Sequence, residues 1–351
     1  MDVWHAVKQA RLTLVCLCSL LILTFVYSLS TGILPVSFGA IARTLIGQGT
    51  EAERLILIDL RLPRMVLALL IGAGLAVSGT LLQGMSRNAL ADPGILGINA
   101  GAGLSVVLTL FFFRSATHQL PVLPFMAFFG ATLVAWTIYR LAGKAVQPGR
   151  LLLVGVGINA LCGALLIIFQ LKMDPRDFQQ ATVWLTGSIW QADWSSVLTL
   201  APWIVCLVPL AFLHSRSLNL LQLSGSLPQT LGLRVEQTRK RILLIAAALA
   251  GSCVAAGGGI SFIGLLAPHI ARRLVGPNHY SLIPVAALLG SLLVLLADLI
   301  GKNLLAPADI PVGIVIAILG APISSYYCSE NEGRPIRRKW TDRSFSQRLP
   351  F

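Results

Sequence analysis

The feature that most constrains this chain is the recurrence of apolar runs long enough to cross a membrane. A bilayer core of about 30 Å takes about 20 helical residues, and runs of that order lie near residues 12–30, 65–85, 96–113, 121–141, 151–171, 197–213, 242–257, 260–275, 283–304 and 311–327. The fold class that follows is all-α, a polytopic membrane protein with about ten transmembrane helices. Composition agrees: with 56% hydrophobic and 12% charged residues, a chain of 351 residues lacks the polar surface that a water-soluble globule of its size requires. Two runs, 197–213 and 260–275, are short, and Gly257-Gly258-Gly259 marks a turn or a discontinuous helix between two others. The run at 12–30 follows Lys8 and Arg11, as the apolar part of a signal peptide would. It is longer than such a part usually is and no A-x-A-like cleavage site follows it, so a retained first helix is expected.

The net charge of +13 does not point to nucleic acid, because the basic residues sit in short clusters between apolar runs rather than on one face or beside stacking aromatics. With the N-terminus placed in the cytoplasm, 19 of the 27 Lys and Arg fall in cytoplasmic segments. The positive-inside bias then places both termini in the cytoplasm. Arg43, Arg54, Arg61, Arg64, Arg114, Lys172, Arg176 and Lys302 fall on the other side.

The chain contains no G-x-x-x-x-G-K-[ST] to cradle nucleotide phosphates and no H-E-x-x-H. Its six cysteines show no metal-ligand spacing beyond Cys16-x-Cys18 inside an apolar run. No catalytic chemistry, metal or cofactor of its own is expected of the chain, and energy for any work it does comes from elsewhere. Asp298 alone among the acidic residues lies well inside a span. It is read as a carboxylate that bonds neighbouring backbone or pairs with a base near the external end; the alternative is an ion-coupled secondary transporter, in which Asp298 carries the ion.

Residues 214–241, HSRSLNLLQLSGSLPQTLGLRVEQTRKR, form the most informative loop. An early Pro and the break at Gly232 predict two short helices lying across the membrane face. Leu218, Leu220, Leu221, Leu223, Leu227, Leu231 and Leu233 give it more apolar surface than a solvated loop requires, which predicts a cytoplasmic protein partner.

Five ordered stretches carry a resemblance: LRLPR (60–64), SRNALADPGILGINAGAG (86–103), WLTGSIW (184–190), GGGISFIGLLAPHIARRLVG (257–276) and LLADLIGKNLLAPADIPVGIVIAILGAP (295–322). From about residue 55 to 323 the chain resembles the FecCD/BtuC-type permeases of ABC importers for iron-siderophores, haem and cobalamin. The resemblance implies a type II importer permease fold in the bacterial cell membrane, paired with an identical or homologous subunit around a central path. It further implies two ATPase subunits that use the ATP, and an extracytoplasmic siderophore-binding protein. Ferric siderophore is the commonest cargo it implies, with haem or cobalamin as alternatives.

Carried onto this sequence, the resemblance assigns ATPase coupling to the loop around Leu223, Gly225, Leu227, Leu231 and Gly232. It assigns a cytoplasmic gate to Asn88, Leu90, Pro148 and Gly149, with Ala89 where the family usually has Pro. It assigns docking of the binding protein to Arg61, Arg64 and Lys302, whose external position runs against the positive-inside trend. Trp184, Trp190 and Trp194 read as interfacial anchors, and Gly72, Gly74 and Gly79 as sites of close helix packing. Residues 1–328 are expected to form one transmembrane domain. Residues 329–351 form a basic tail atypical of the family, either a surface-binding extension or the product of a shifted reading frame near Ser324.

Overall fold

The computed structural model describes residues 2–32, 34–94, 96–113, 122–142, 148–190, 192–305 and 309–332, and among them the chain is helical with no strand. The helices are α1 (Asp2–Ser30), α2 (Phe38–Leu45), α3 (Glu51–Arg54), a π-helical segment (Leu55–Arg61), α4 (Leu62–Ser86), α5 (Ile98–Phe112), α6 (Val122–Ala142), α7 (Pro148–Gln170), α8 (Pro175–Thr186), α9 (Trp194–Leu213), α10 (Ser215–Leu221), α11 (Leu227–Thr230), α12 (Val235–Gly257), α13 (Ile263–Val275), α14 (His279–Leu304) and α15 (Val312–Glu332).

All ten apolar runs fall on helices, and seven helical stretches are long and apolar enough to cross a membrane. The exceptions are instructive. With 15 and 13 residues, α5 and α13 rise about 22 and 20 Å, short of a bilayer core of about 30 Å. α13 starts inside the bundle: Gly257 abuts Ile71 of α4, while Gly264 abuts Gly79, so the chain reverses at the depth of α4's middle rather than at its end. The reversal uses left-handed backbone at Gly258 (φ 72°) and at Phe262 (φ 66°). α8, which is too polar to register as an apolar run, ends at the same depth. Gly187 packs on Ile260, and the Gly259 amide donates to the Trp184 carbonyl at 3.1 Å. Non-helical backbone is tolerated at this level because protein, not lipid, surrounds it and fills its hydrogen bonds.

α4 is the axis of the fold. It is apolar on every side and buried along most of its length, as a helix enclosed by others must be. The capping box between Thr50 and Glu53 starts the helical run that leads into it, and Pro63 stands in its first turn, where a missing N–H leaves nothing unbonded. α4 crosses α14 at Gly72 and Gly290, where backbone meets backbone, and Ser291 Oγ donates to the Leu69 carbonyl at 2.8 Å. By contrast α7 leaves Leu153, Leu161 and Ile167 exposed, an apolar face suited to lipid or a second subunit. Gln9 of α1 donates to the Leu274 carbonyl at the end of α13, and Gly320 of α15 lies against Phe262 and Leu266. α15 continues through the 328/329 boundary to Glu332, and residues 333–351 of the tail lie outside the described residues.

Candidate functional site

Two surfaces at opposite ends of α4 and α14 carry the chemistry. At the first end the π-helical segment delivers Arg61 and the first turn of α4 delivers Arg64, while the last turns of α14 deliver Asp298 and Lys302. All four line a crevice of about 670 Å³, together with Trp190 and Asp309. The three predicted docking residues are thus brought together, but they are not equivalent. Arg64 Nε donates to Asp298 Oδ1 at 2.7 Å and Nη1 to Asp309 Oδ2 at 3.1 Å, so its charge is met within the chain. Lys302 Nζ donates to the Ser28 carbonyl at 2.7 Å and to Ser28 Oγ at 2.8 Å. Arg61 donates to the carbonyls of Leu29 and Leu34, which bring no negative charge. At the rim, Asp193 caps α9. Burial pushes its carboxyl upward, but hydrogen bonds from Ser196 and Ser195 outweigh that and hold it below the usual carboxylate range. Asp298 therefore takes the pairing expected of it, with Arg64 as the base.

At the other end α10 and α11 supply the two short helices expected of residues 214–241, here called the hairpin, with Pro228 in the first turn of α11. Its leucines divide by role: Leu218 and Leu221 are buried and seat the hairpin, while Leu223, Leu227 and Leu231 are exposed. Gly225 (φ 65°) and Gly232 (φ 80°) turn the chain through left-handed conformations that a side chain would strain. Of the predicted gate, Asn88 and Leu90 form the turn after α4, Asn88 Oδ1 accepting from the Leu90 amide at 2.9 Å with Leu90 exposed. Pro148 and Gly149 stand apart from them in sequence, in the first turn of α7, and space around Gly149 is open.

Residues that the sequence reading passed over connect the hairpin to the bundle. Arg87 Nε donates to the Leu221 carbonyl at 2.7 Å and Nη2 donates to that of Leu223. Asn219 Oδ1 accepts from the His279 amide at 3.0 Å and lies 2.8 Å from His279 Nδ1, while Asn219 Nδ2 donates to Asn278 Oδ1 at 2.9 Å. These partners are 134 and about 60 residues apart, so no spacing in the sequence announces them.

An enclosed helical axis with half-helices meeting inside it, a charged crevice at one end and a leucine-bearing hairpin at the other define a multi-pass membrane transport subunit. Residues 20–328 match the FecCD transport family, and the chain belongs to that family. It is accordingly the permease subunit of an ABC importer, with ATP hydrolysis on a separate subunit. Its class works with ATPase subunits and a substrate-binding partner, and as paired permeases. Among its relatives, the iron(3+)-hydroxamate import system permease protein FhuG of Bacillus subtilis (strain 168) is 51% identical over 313 residues, 88% of this chain and 93% of that one. The Fe(3+)-citrate import system permease protein YfmE of the same organism is 41% identical, over 91% of this chain and 95% of that one. The hemin transport system permease protein HmuU of Yersinia pestis is also 41% identical, over 90% and 94%. The fold matches, with TM-score 0.81 and 30% identity over 90% of this chain and 98% of the other, an inward-facing conformation of a transporter assigned to the metal-chelate type of ABC transporters.

Proposed function

We propose that this permease passes a ferric siderophore of the hydroxamate class across the bacterial cell membrane. The observation that carries the cargo is the 51% identity, over nearly the full length of both chains, to a permease named for iron(3+)-hydroxamate import. Relatives named for citrate and hemin stand at 41%. The crevice end faces outward and the hairpin end faces the cytoplasm, with both termini on the hairpin side. Supporting this, Gln9 and Leu274 meet near that end, and the charge distribution favours it. The exposed Leu223, Leu227 and Leu231 contact one of two ATPase subunits. Asn88, Leu90, Pro148 and Gly149 form half of a cytoplasmic gate that a second permease subunit, identical or homologous, completes.

The cationic end receives acidic side chains of an extracytoplasmic siderophore-binding protein. Arg61 leads this contact because its charge meets only carbonyls, whereas Arg64 is held by two carboxylates. Rim charges of this kind set association rate and register. Arg61→Glu is therefore expected to slow binding-protein association about tenfold at low salt, with the difference shrinking as salt rises. Association kinetics at two ionic strengths check this, and an unchanged rate overturns the assignment.

The function itself is tested by uptake of radiolabelled ferric hydroxamate in cells lacking the gene. These are complemented by the gene with either an active or a catalytically dead partner ATPase. Uptake only with the active ATPase is expected. Uptake with both overturns ATP coupling, and uptake with neither overturns the hydroxamate assignment.

A further inference from the structure

The hairpin is not laid loosely on the membrane face. α4 ends at Arg87, a non-glycine residue in the left-handed region (φ 54°) that helix ends ordinarily reserve for glycine. From there its guanidinium reaches the carbonyls of Leu221 and Leu223, at and just beyond the end of α10, where helix geometry leaves carbonyls without intrahelical partners. A planar fork with several donors suits two carbonyls at once in a way an ammonium does not. On the other side Asn219 of α10 is held by Asn278 and His279 at the start of α14. His279 is fully buried, and it fits there because residue 84 of α4 is glycine: a Cβ on Gly84 would lie 2.5 Å from His279 Nε2 and 3.0 Å from Leu218. The hairpin, the end of α4 and the start of α14 thus interlock through directional bonds and close packing.

α4 and α14 are then joined along their length. They meet backbone to backbone at Gly72 and Gly290, are bridged by Ser291 to Leu69, and are tied at their far ends by Arg64 and Asp298. The 23 residues from Arg64 to Arg87 correspond to about 35 Å of helix.

We propose that Arg87, Asn219 and His279 are positioning residues for coupling: they fasten the hairpin to α4 and α14, which move as one bar and carry hairpin displacement to the Arg61–Arg64–Asp298–Lys302 crevice. The inference rests on the reading of the hairpin as the ATPase contact. It assigns the link between the two ends to a pinned element that both ends bias, the physical requirement for coupling distant sites.

The test uses the complete importer, permease pair with ATPase and binding protein, reconstituted in liposomes. Arg87→Ala is expected to assemble with the ATPase and hydrolyse ATP without binding protein as wild type does. Stimulation by loaded binding protein, and cargo moved per ATP, are expected to fall about tenfold, within the range of coupling between linked sites. Arg87→Lys, which keeps the charge and one donor direction, is expected to recover part of the loss. Wild-type stimulation and cargo per ATP in Arg87→Ala overturn the inference. Should Arg87→Ala fail to assemble, Asn219→Asp and Arg87→Lys decide it. Asn219→Asp keeps the acceptor for the His279 amide and removes the donor to Asn278, so a smaller loss of the same kind is expected, and wild-type coupling in both overturns the inference. Leu227→Glu separates the two readings. If it leaves ATPase binding intact, the hairpin reading fails; if it releases the ATPase while Arg87→Ala couples normally, only the positioning inference fails.

Discussion

Asp298→Ala is expected to destabilise the folded permease by about 3 kcal/mol, lowering its unfolding temperature in detergent. The Asp298 side chain is 1% exposed and that of its partner Arg64 is 15% exposed. Removing the carboxylate strands a guanidinium where little water reaches it, and that desolvated charge, more than the lost attraction, dominates the cost. Asp309 remains as a second partner, but its side chain is 20% exposed and its bond is longer, so it compensates only in part. A double-mutant cycle distinguishes pairing from simple loss of packing. Asp298→Leu combined with Arg64→Leu is expected to melt above Asp298→Leu alone, because the mostly buried guanidinium left without its main partner is then removed as well. Wild-type melting of Asp298→Ala, or strict additivity in the cycle, refutes this account.

Gly72→Val is expected to abolish accumulation of folded protein. A Cβ at residue 72 would stand 2.3 Å from the Gly290 carbonyl oxygen and 2.5 Å from its carbon. Both are backbone atoms, so no rotamer change relieves the clash and the two central helices must separate. Overpacking a tight core costs about 1–3 kcal/mol when side chains yield, and separation here also breaks the Ser291–Leu69 bond. Gly39→Ala is the control: a Cβ there has nothing within 4 Å, and folded yield is expected to stay at the wild-type level. Size-exclusion profiles of detergent-extracted protein check both, and a monodisperse Gly72→Val peak of wild-type height refutes the packing account.

Much of this architecture was legible in the chain itself. Each of the ten apolar runs lies on a helix, because apolar residues in succession leave the backbone no way to satisfy its hydrogen bonds in lipid except locally. The break at Gly257-Gly258-Gly259 and the turn at Gly232 were visible too, since a residue without Cβ marks where the chain turns left-handed. The hairpin's leucines led to the expectation of a partner surface, and Leu223, Leu227 and Leu231 are exposed. α8 escaped notice because it runs through PRDFQQ, which no apolar count collects. The same count marked the run at 260–275 as short but took 96–113 as a span, although α5 has only 15 residues.

The sequence by itself determined the class of fold and the family, since these depend on hydropathy, local backbone preference and ordered motifs. Only the tertiary structure decided how those residues are used. It put Arg64 between Asp298 and Asp309 while Arg61 met carbonyls alone, it divided the hairpin's leucines into seated and exposed, and it brought Arg87 onto the hairpin and Asn219 onto His279. The physical reason is range. Helix formation and turns are set within a few neighbours, whereas charge pairing and helix crossing join residues tens to hundreds of positions apart, and their partners exist only once the bundle has closed.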